Sequence, residues 1–253
     1  MTVADHEVAA DWRAFFAHPE YPRLVSAILT EERTRDELAA LTRAADLGPG
    51  VTVLDLGCGQ GRLSVPLAAL GCRVTGLDAS PQLLGRAAAA AAAAQVRVDF
   101  VRADMKDLSD AGRYDVVLNI GTAFGYAPGA EHAQTLAAVR RALRPGGTLV
   151  LDTENRERLV RANGRMSFDR MGTTVHCERS YDFHTGRWRE SLRWEHDGLE
   201  QKAEYTLRLY TVAELVEALG RAGFDRIEAW GDLAGSPYGP ESPRTVLRAQ
   251  AAL

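Results

Sequence analysis

Two hydrophobic periods alternate along this chain. Short apolar runs of about six residues give way to stretches with apolar positions three or four apart, the signature of strands followed by helices. The first such run, residues 51–56, is nearly all apolar and leads into the turn Gly57-Cys58-Gly59-Gln60-Gly61. Leu63, Leu67 and Leu70 then fall on one helical face, and Gly71 ends it. A second strand, 72–77, ends at Asp78, and Ser80-Pro81 marks a helix start. That helix carries unbroken alanine from 87 to 94, a strong helix former that needs no functional explanation. Strands at 96–101 and 114–120 follow. Leu136, Val139 and Leu143 mark a further helix, and Arg144-Pro145-Gly146-Gly147 turns into a fifth strand at 148–153. Strand–helix units of this length predict a parallel sheet covered on both faces.

The rhythm differs on either side of this region. Up to about residue 45 the pattern is helical, with Trp12, Phe15 and Phe16 as an aromatic cluster. After residue 155 it becomes β-like: runs at 173–183, 188–195 and 201–209 are separated by Thr185-Gly186 and Asp197-Gly198, which predicts an antiparallel meander. Thr211-Val212-Ala213-Glu214 is a capping box for one more helix, ended by Gly223. Strands at 224–230 and 245–249 close the chain. The arginines at 156, 158, 161, 165 and 170 are interleaved with Glu154, Glu157 and Asp169, which reads as a solvated helix face.

Composition adds exclusions. Charged residues are 25% and hydrophobic ones 46%, an ordinary globular balance. A formal net charge of −4 argues against a long nucleic-acid footprint. The three cysteines, Cys58, Cys72 and Cys177, have no CxxC spacing, so neither zinc nor a disulfide framework is expected. Residues 1–7 show no basic start followed by an apolar run, and no apolar stretch approaches membrane-spanning length. These readings predict a cytoplasmic protein that engages neither membrane nor nucleic acid.

The glycine turn carries the chemistry. A tight strand-to-helix turn with glycine at every second position lets a ligand approach the backbone with no Cβ in the way. Asp78, ending the next strand, faces the same crevice and can accept hydrogen bonds from two ribose hydroxyls. On these grounds alone a dinucleotide remains open. The spacing of Gly57, Gly59 and Gly61 is G-x-G-x-G rather than the dinucleotide G-x-G-x-x-G, and the acid Asp55 suits an ammonium better than a pyrophosphate.

These motifs resemble the class I S-adenosylmethionine-dependent methyltransferases. Leu54-Asp55-Leu56-Gly57-Cys58-Gly59-Gln60-Gly61 is similar to their first motif, Asp78 to their ribose-binding acid, and Ala103-Asp104-Met105 to their adenine-binding segment. The turn 143–147 is similar to the one before their fifth strand. The resemblance covers about 47–153 well. It implies a Rossmann-like, doubly wound α/β sheet of seven strands, the last antiparallel, with N-terminal helices and an antiparallel β cap inserted after strand 5. The expected division is a helical lid at 1–46, a cofactor-binding core at 47–155 and 210–253, and a β-meander substrate cap at 156–209.

The cofactor implied is S-adenosyl-L-methionine, with S-adenosyl-L-homocysteine as product. The residues expected to hold it are Tyr21 as a lid, Asp55, Gly57, Cys58, Gly59, Asp78, Ala79, Leu83, Ala103, Asp104, Met105 and Asn119. Residues 119–126, ending Phe124-Gly125-Tyr126, resemble the small-molecule group, as does the meander. A small molecule accepting the methyl group on N or O is therefore the expected substrate, in a natural-product or amino-acid type of reaction, and a homodimer is compatible with this. The Asp/Asn-Pro-Pro-aromatic sequence of nucleic-acid amino-methyltransferases is absent. Asn119 stands where the catechol type has a metal-binding acid, so no metal is expected. Tyr126 and His132 are the catalytic candidates, with His176 and His184 behind them; the plain alternative for His132 is a solvent-facing position at a helix start. Phe15, Phe16, Tyr21, Trp188 and Trp194 either line an apolar pocket or pack as core. A methyltransferase for RNA or protein, and a non-catalytic binder of the cofactor, remain as rival readings.

Overall fold

The computed structural model describes residues 12–170 and 172–253. The N-terminal reading at 1–7 lies outside the described residues. Three helices come first: α1 (Trp12–Phe16), α2 (Tyr21–Ser26) and α3 (Glu31–Ala44), the last capped by Thr30, whose hydroxyl accepts from the Arg33 N–H. The alternating region then gives β1 (Thr52–Leu56), α4 (Ser64–Ala69), β2 (Arg73–Asp78), α5 (Pro81–Ala93), β3 (Val98–Arg102), β4 (Tyr114–Asn119), α6 (Gly129–Ala142) and β5 (Leu143–Thr153). After a short α7 (Arg156–Leu159) come β6 (Gly164–Arg170), β7 (Thr173–Asp182), β8 (Arg187–His196) and β9 (Leu199–Arg208). The last elements are α8 (Val212–Arg221), β10 (Phe224–Trp230) and β11 (Thr245–Ala251).

One sheet has the order β10-β11-β5-β4-β1-β2-β3, and β11 runs antiparallel to both neighbours. This is the expected seven-stranded, doubly wound sheet with the last strand reversed. Its two faces are legible in successive residues of β1. Val53 joins a cluster with Leu41 of α3 and Leu67 of α4, whereas Leu54 joins Leu136 of α6 and Leu215 of α8 on the other face. Both side chains are fully buried, worth about 1.5–3 kcal/mol each relative to exposure. The chain winds from β1 outward through β2 and β3, then returns to place β4 on the other flank of β1. Such a reversal opens a crevice at the carboxyl ends of the strands, because the loops there diverge to opposite faces.

The second sheet has the order β6-β7-β8-β9, all antiparallel. Asp197 and Gly198 both have positive φ, the two-residue turn that matches strand twist between β8 and β9. Val175, Cys177, Leu192 and Trp194 on its inner face pack with Leu24 of α2. The sheet has one strand more than the three-run meander that the sequence predicts. Its additional strand, β6, is an edge strand whose residues are all exposed or half-buried, so Gly164-Arg165-Met166-Ser167-Phe168-Asp169-Arg170 has no apolar alternation to betray it. For the same reason the helix face expected of the arginine cluster is not formed. Arg156 and Arg158 are on α7, Arg161 is in a 3₁₀ turn, and Arg165 and Arg170 are on β6.

Candidate active site

A cavity opens at the carboxyl ends of β1, β2 and β4, roofed by α1 and α2. Tyr21, Asp55, Gly57, Cys58, Gly59, Asp78, Ala79, Leu83, Ala103, Asp104, Met105, Tyr126 and His132 all line it. Asn119 does not. Its side chain is buried behind the wall, where Nδ2 donates to the Leu56 carbonyl at 2.8 Å.

The floor is the glycine turn. Gly57, Gly59 and Gly61 have φ of +80°, +55° and +78°, the left-handed region that other residues enter at a cost of about 1–2 kcal/mol each. A Cβ on Gly57 would stand 2.6 Å from Ala123 Cβ and 2.7 Å from Met105 Cε, so no side chain fits there. A Cβ on Gly59 would meet nothing within 4 Å and would project into open space. The turn therefore presents bare backbone to a ligand.

Asp78 closes the end of β2 over this turn. Its Oδ2 accepts from the Gly59 N–H at 2.9 Å and its Oδ1 from the Ser80 N–H at 2.8 Å. Burial raises its pKa, against the opposing pull of these N–H groups. Each oxygen retains a lone pair, the donor–acceptor pattern that a vicinal diol requires. Asp55, at the end of β1, is 4% exposed and accepts from the Ser64 hydroxyl. Burial pushes its pKa up to about 6, and the nearby Asp78 charge adds to the shift. Asp104, at the third corner, accepts from Lys106 N–H at 3.3 Å and pairs with Arg13 of α1 at 2.7 Å. The bare turn, the anchored carboxylate of Asp78 and the acid Asp55 fit the ribose and ammonium of S-adenosylmethionine.

The roof is aromatic. The ring of Tyr126 lies 5.1 Å from Phe16 and 5.8 Å from Tyr205, and Tyr21 lies 5.2 Å from Phe16. Burial drives the phenols of Tyr126 and Tyr21 well above their ordinary pKa, so both stay protonated. Phe15 packs behind, against Tyr205 at 4.8 Å. Trp188 and Trp194 are not part of the cavity: both are buried in the inner face of the second sheet, so their role is packing.

The solvent-facing reading of His132 is corrected by its burial. His132 is 4% exposed rather than solvent-facing, because it shares the inward stripe of α6 with Leu136 and Val139. Its Nδ1 makes a short hydrogen bond with the Tyr210 hydroxyl. Burial, reinforced by Arg187 and Arg208, pushes its pKa down to about 4. His176 and His184 lie away from the cavity. The first is on the exposed face of β7, 2.8 Å from Ser167 Oγ, and the second is in the exposed turn after β7.

Several lining or supporting residues have no signal in the sequence. Arg62 lines the cavity and is held by Glu37 of α3 at 2.5 Å and Thr34 at 3.2 Å. Arg244 is held by Asp152 at 2.7 Å and Glu154 at 2.6 Å, and donates to Thr122 Oγ1 at 2.6 Å. Asp152 in turn accepts from the Gly121 N–H at 2.8 Å, fixing the loop after β4. Only the glycine turn after β1 hints at Arg62, and nothing near Arg244 names its partners.

Residues 53–147 match the family model of the methyltransferase domain. The ubiquinone biosynthesis O-methyltransferase of Cereibacter sphaeroides is 40% identical over 108 residues, 42% of each chain. Among solved structures, the CcbJ methyltransferase of Streptomyces caelestis is 26% identical with a TM-score of 0.74, over 86% of this chain and 89% of that one. The chain thus carries a methyltransferase domain over residues 53–147. The S-adenosylmethionine-bound CalS10 of Micromonospora echinaspora, an amino pentose methyltransferase, shares the fold at 22% identity and a TM-score of 0.64, over 87% and 91% of the two chains. The chain spans about half the length of the curated relatives it matches. Among its described residues, no helix is long and apolar enough to cross a membrane.

Proposed function

We propose that this methyltransferase moves a methyl group from S-adenosylmethionine to a nitrogen or oxygen atom of a small molecule held between Tyr126 and the roof. The observation that carries this is the Asp78 carboxylate, anchored by the Gly59 and Ser80 N–H groups at the floor of a cavity that Tyr126 and Phe16 close. In this reading Asp78 holds the ribose hydroxyls, Asp55 the methionine ammonium, the backbone of Gly57, Cys58 and Gly59 the methionine portion, and Ala79, Leu83, Ala103, Asp104 and Met105 the adenine. Asn119 supports the turn from behind. Helices α1 and α2 act as a lid through Tyr21, and the second sheet acts as the substrate cap.

The bound cofactor supplies a methyl group on a sulfonium, which departs as a neutral thioether. The protein's work is then orientation, with an effective molarity that reaches on the order of 10⁵ M in well-aligned systems. Protonation states favour an amine acceptor. Tyr126 and Tyr21 stay protonated, and His132 is a weak base, so none of these three is poised to take a proton from a hydroxyl near pH 7. A neutral amine needs no such base. Tyr126 is left to position the acceptor through its hydroxyl.

The test supplies methyl-labelled S-adenosylmethionine to the protein with a cell extract. Label in the small-molecule fraction supports this reading, and label confined to RNA or protein contradicts it. Purified amines and phenols then separate N- from O-transfer.

A further inference from the structure

We propose that His132 and Tyr210 act as a pair that presents a neutral imidazole N–H to N3 or N7 of the cofactor's adenine, with His132 the binding residue and Tyr210 its positioning residue. The inference rests on the reading above that places adenine at Ala103–Met105, and it goes further in replacing a candidate base by a hydrogen-bond donor.

The direction of the His132–Tyr210 bond is set by the two groups. A phenol is the better donor and an imidazole nitrogen the better acceptor, so the Tyr210 hydroxyl donates to Nδ1. Burial pushes the Tyr210 pKa up to about 12, so that proton is not lost at neutral pH. A neutral imidazole accepting at Nδ1 carries its hydrogen at Nε2. Both rings are fixed by a third: Phe124 lies 4.8 Å from His132 and 5.8 Å from Tyr210. Tyr210 itself immediately precedes the capping box at Thr211 that starts α8.

Nε2 is buried and has no hydrogen-bond partner among the described residues. Leaving a buried donor unpaired costs about 1–3 kcal/mol, and His132 lines the cavity, so an acceptor on a ligand bound beside its ring would relieve that cost. The place of His132 on the wall indicates which acceptor. The first turns of α6 pack on residues 105–107, where Glu131 pairs with Lys106 Nζ at 3.0 Å and Gln134 donates to the Lys106 carbonyl at 3.4 Å. His132 therefore shares the end of the cavity formed by Met105 and Phe124. Adenine offers uncharged ring-nitrogen acceptors there. A neutral donor suits them, and burial, reinforced by Arg187 and Arg208 beside His132, keeps the imidazole uncharged.

The experiment measures calorimetric affinities of S-adenosylhomocysteine and its 3-deaza and 7-deaza analogues, each lacking one acceptor, for the wild type and His132→Phe. The wild type is expected to bind one deaza analogue about tenfold more weakly than the parent, and His132→Phe to lose a similar factor for the parent and the discrimination with it. Nitrogen-15 spectra of histidine-labelled wild type should show His132 protonated at Nε2, and Tyr210→Phe should mix the tautomers. Equal wild-type affinity for all three ligands, discrimination unchanged in His132→Phe, or a proton on Nδ1 would overturn the proposal. A wild type that binds none of the three overturns the cofactor reading beneath it.

Discussion

The Gly59 N–H donates to Oδ2 of Asp78 at 2.9 Å, tying the glycine turn after β1 to the end of β2 nineteen positions later. The bond does two things. It holds a left-handed glycine in place, and it aims a partly buried carboxylate at the cavity with a lone pair to spare. Asp78→Ala is therefore expected to weaken S-adenosylhomocysteine binding by at least about 1.5 kcal/mol, roughly tenfold, through loss of charge-assisted contacts to the ribose. Calorimetry on the folded variant checks this, and unchanged affinity would remove the ribose from Asp78.

Asp55 predicts a pH dependence. Its pKa of about 6 in the ligand-free fold lies above the usual 3.8, so the protonated form persists to higher pH than in a free chain. A ligand ammonium favours the carboxylate, so binding expels the proton and strengthens as pH rises through about 6. S-adenosylhomocysteine should bind more weakly at pH 5 than at pH 7.5, with proton release near pH 6 visible in buffers of different ionisation enthalpy. Asp55→Asn should flatten that dependence; a wild type with a flat profile contradicts the assignment.

Arg244 predicts a stability effect. It neutralises Asp152, which is 1% exposed, together with Glu154, and through Thr122 it fixes the loop that carries Phe124 and Tyr126. Burial alone would lower its pKa, but the two carboxylates outweigh that and hold it charged. Arg244→Met leaves a buried carboxylate without its partner, at a cost of about 3–5 kcal/mol. Thermal melts should fall by roughly 10 °C or more on that scale. A melt within a degree or two of wild type would show the network to be dispensable.

Tyr126→Phe removes one hydroxyl and keeps the ring packed against Phe16 and Tyr205. Turnover should drop more than cofactor affinity, which steady-state kinetics and calorimetry together reveal. Equal losses in both would move Tyr126 away from the methyl acceptor.

Features governed by local rules are legible in the sequence. Buried parallel strands are almost wholly apolar, and the glycines at 57, 59 and 61 are demanded by positive φ, so β1, β2, β4 and the floor of the site are legible to within a residue or two. By contrast, β3 is a mostly exposed edge strand, and β5 starts at Leu143 rather than at 148. Edge strand β6 escapes because none of its residues is fully buried, even Phe168 packing only half-buried on the inner face. His132 is misplaced from sequence because a polar residue on an inward stripe is visible only when its partner is known, and Tyr210 lies 78 positions away. Arg244 is silent for the same reason, its partners being about ninety positions earlier. Local chemistry announces a cofactor turn, whereas a long-range polar pairing needs the fold.

The most direct measurement is a calorimetric titration of the wild-type protein with S-adenosylmethionine and, separately, with NAD. The G-x-G-x-G turn and the Asp55–Asp78 pair predict saturable binding of S-adenosylmethionine and none of NAD. Tight NAD binding with no response to S-adenosylmethionine would contradict the account at its base.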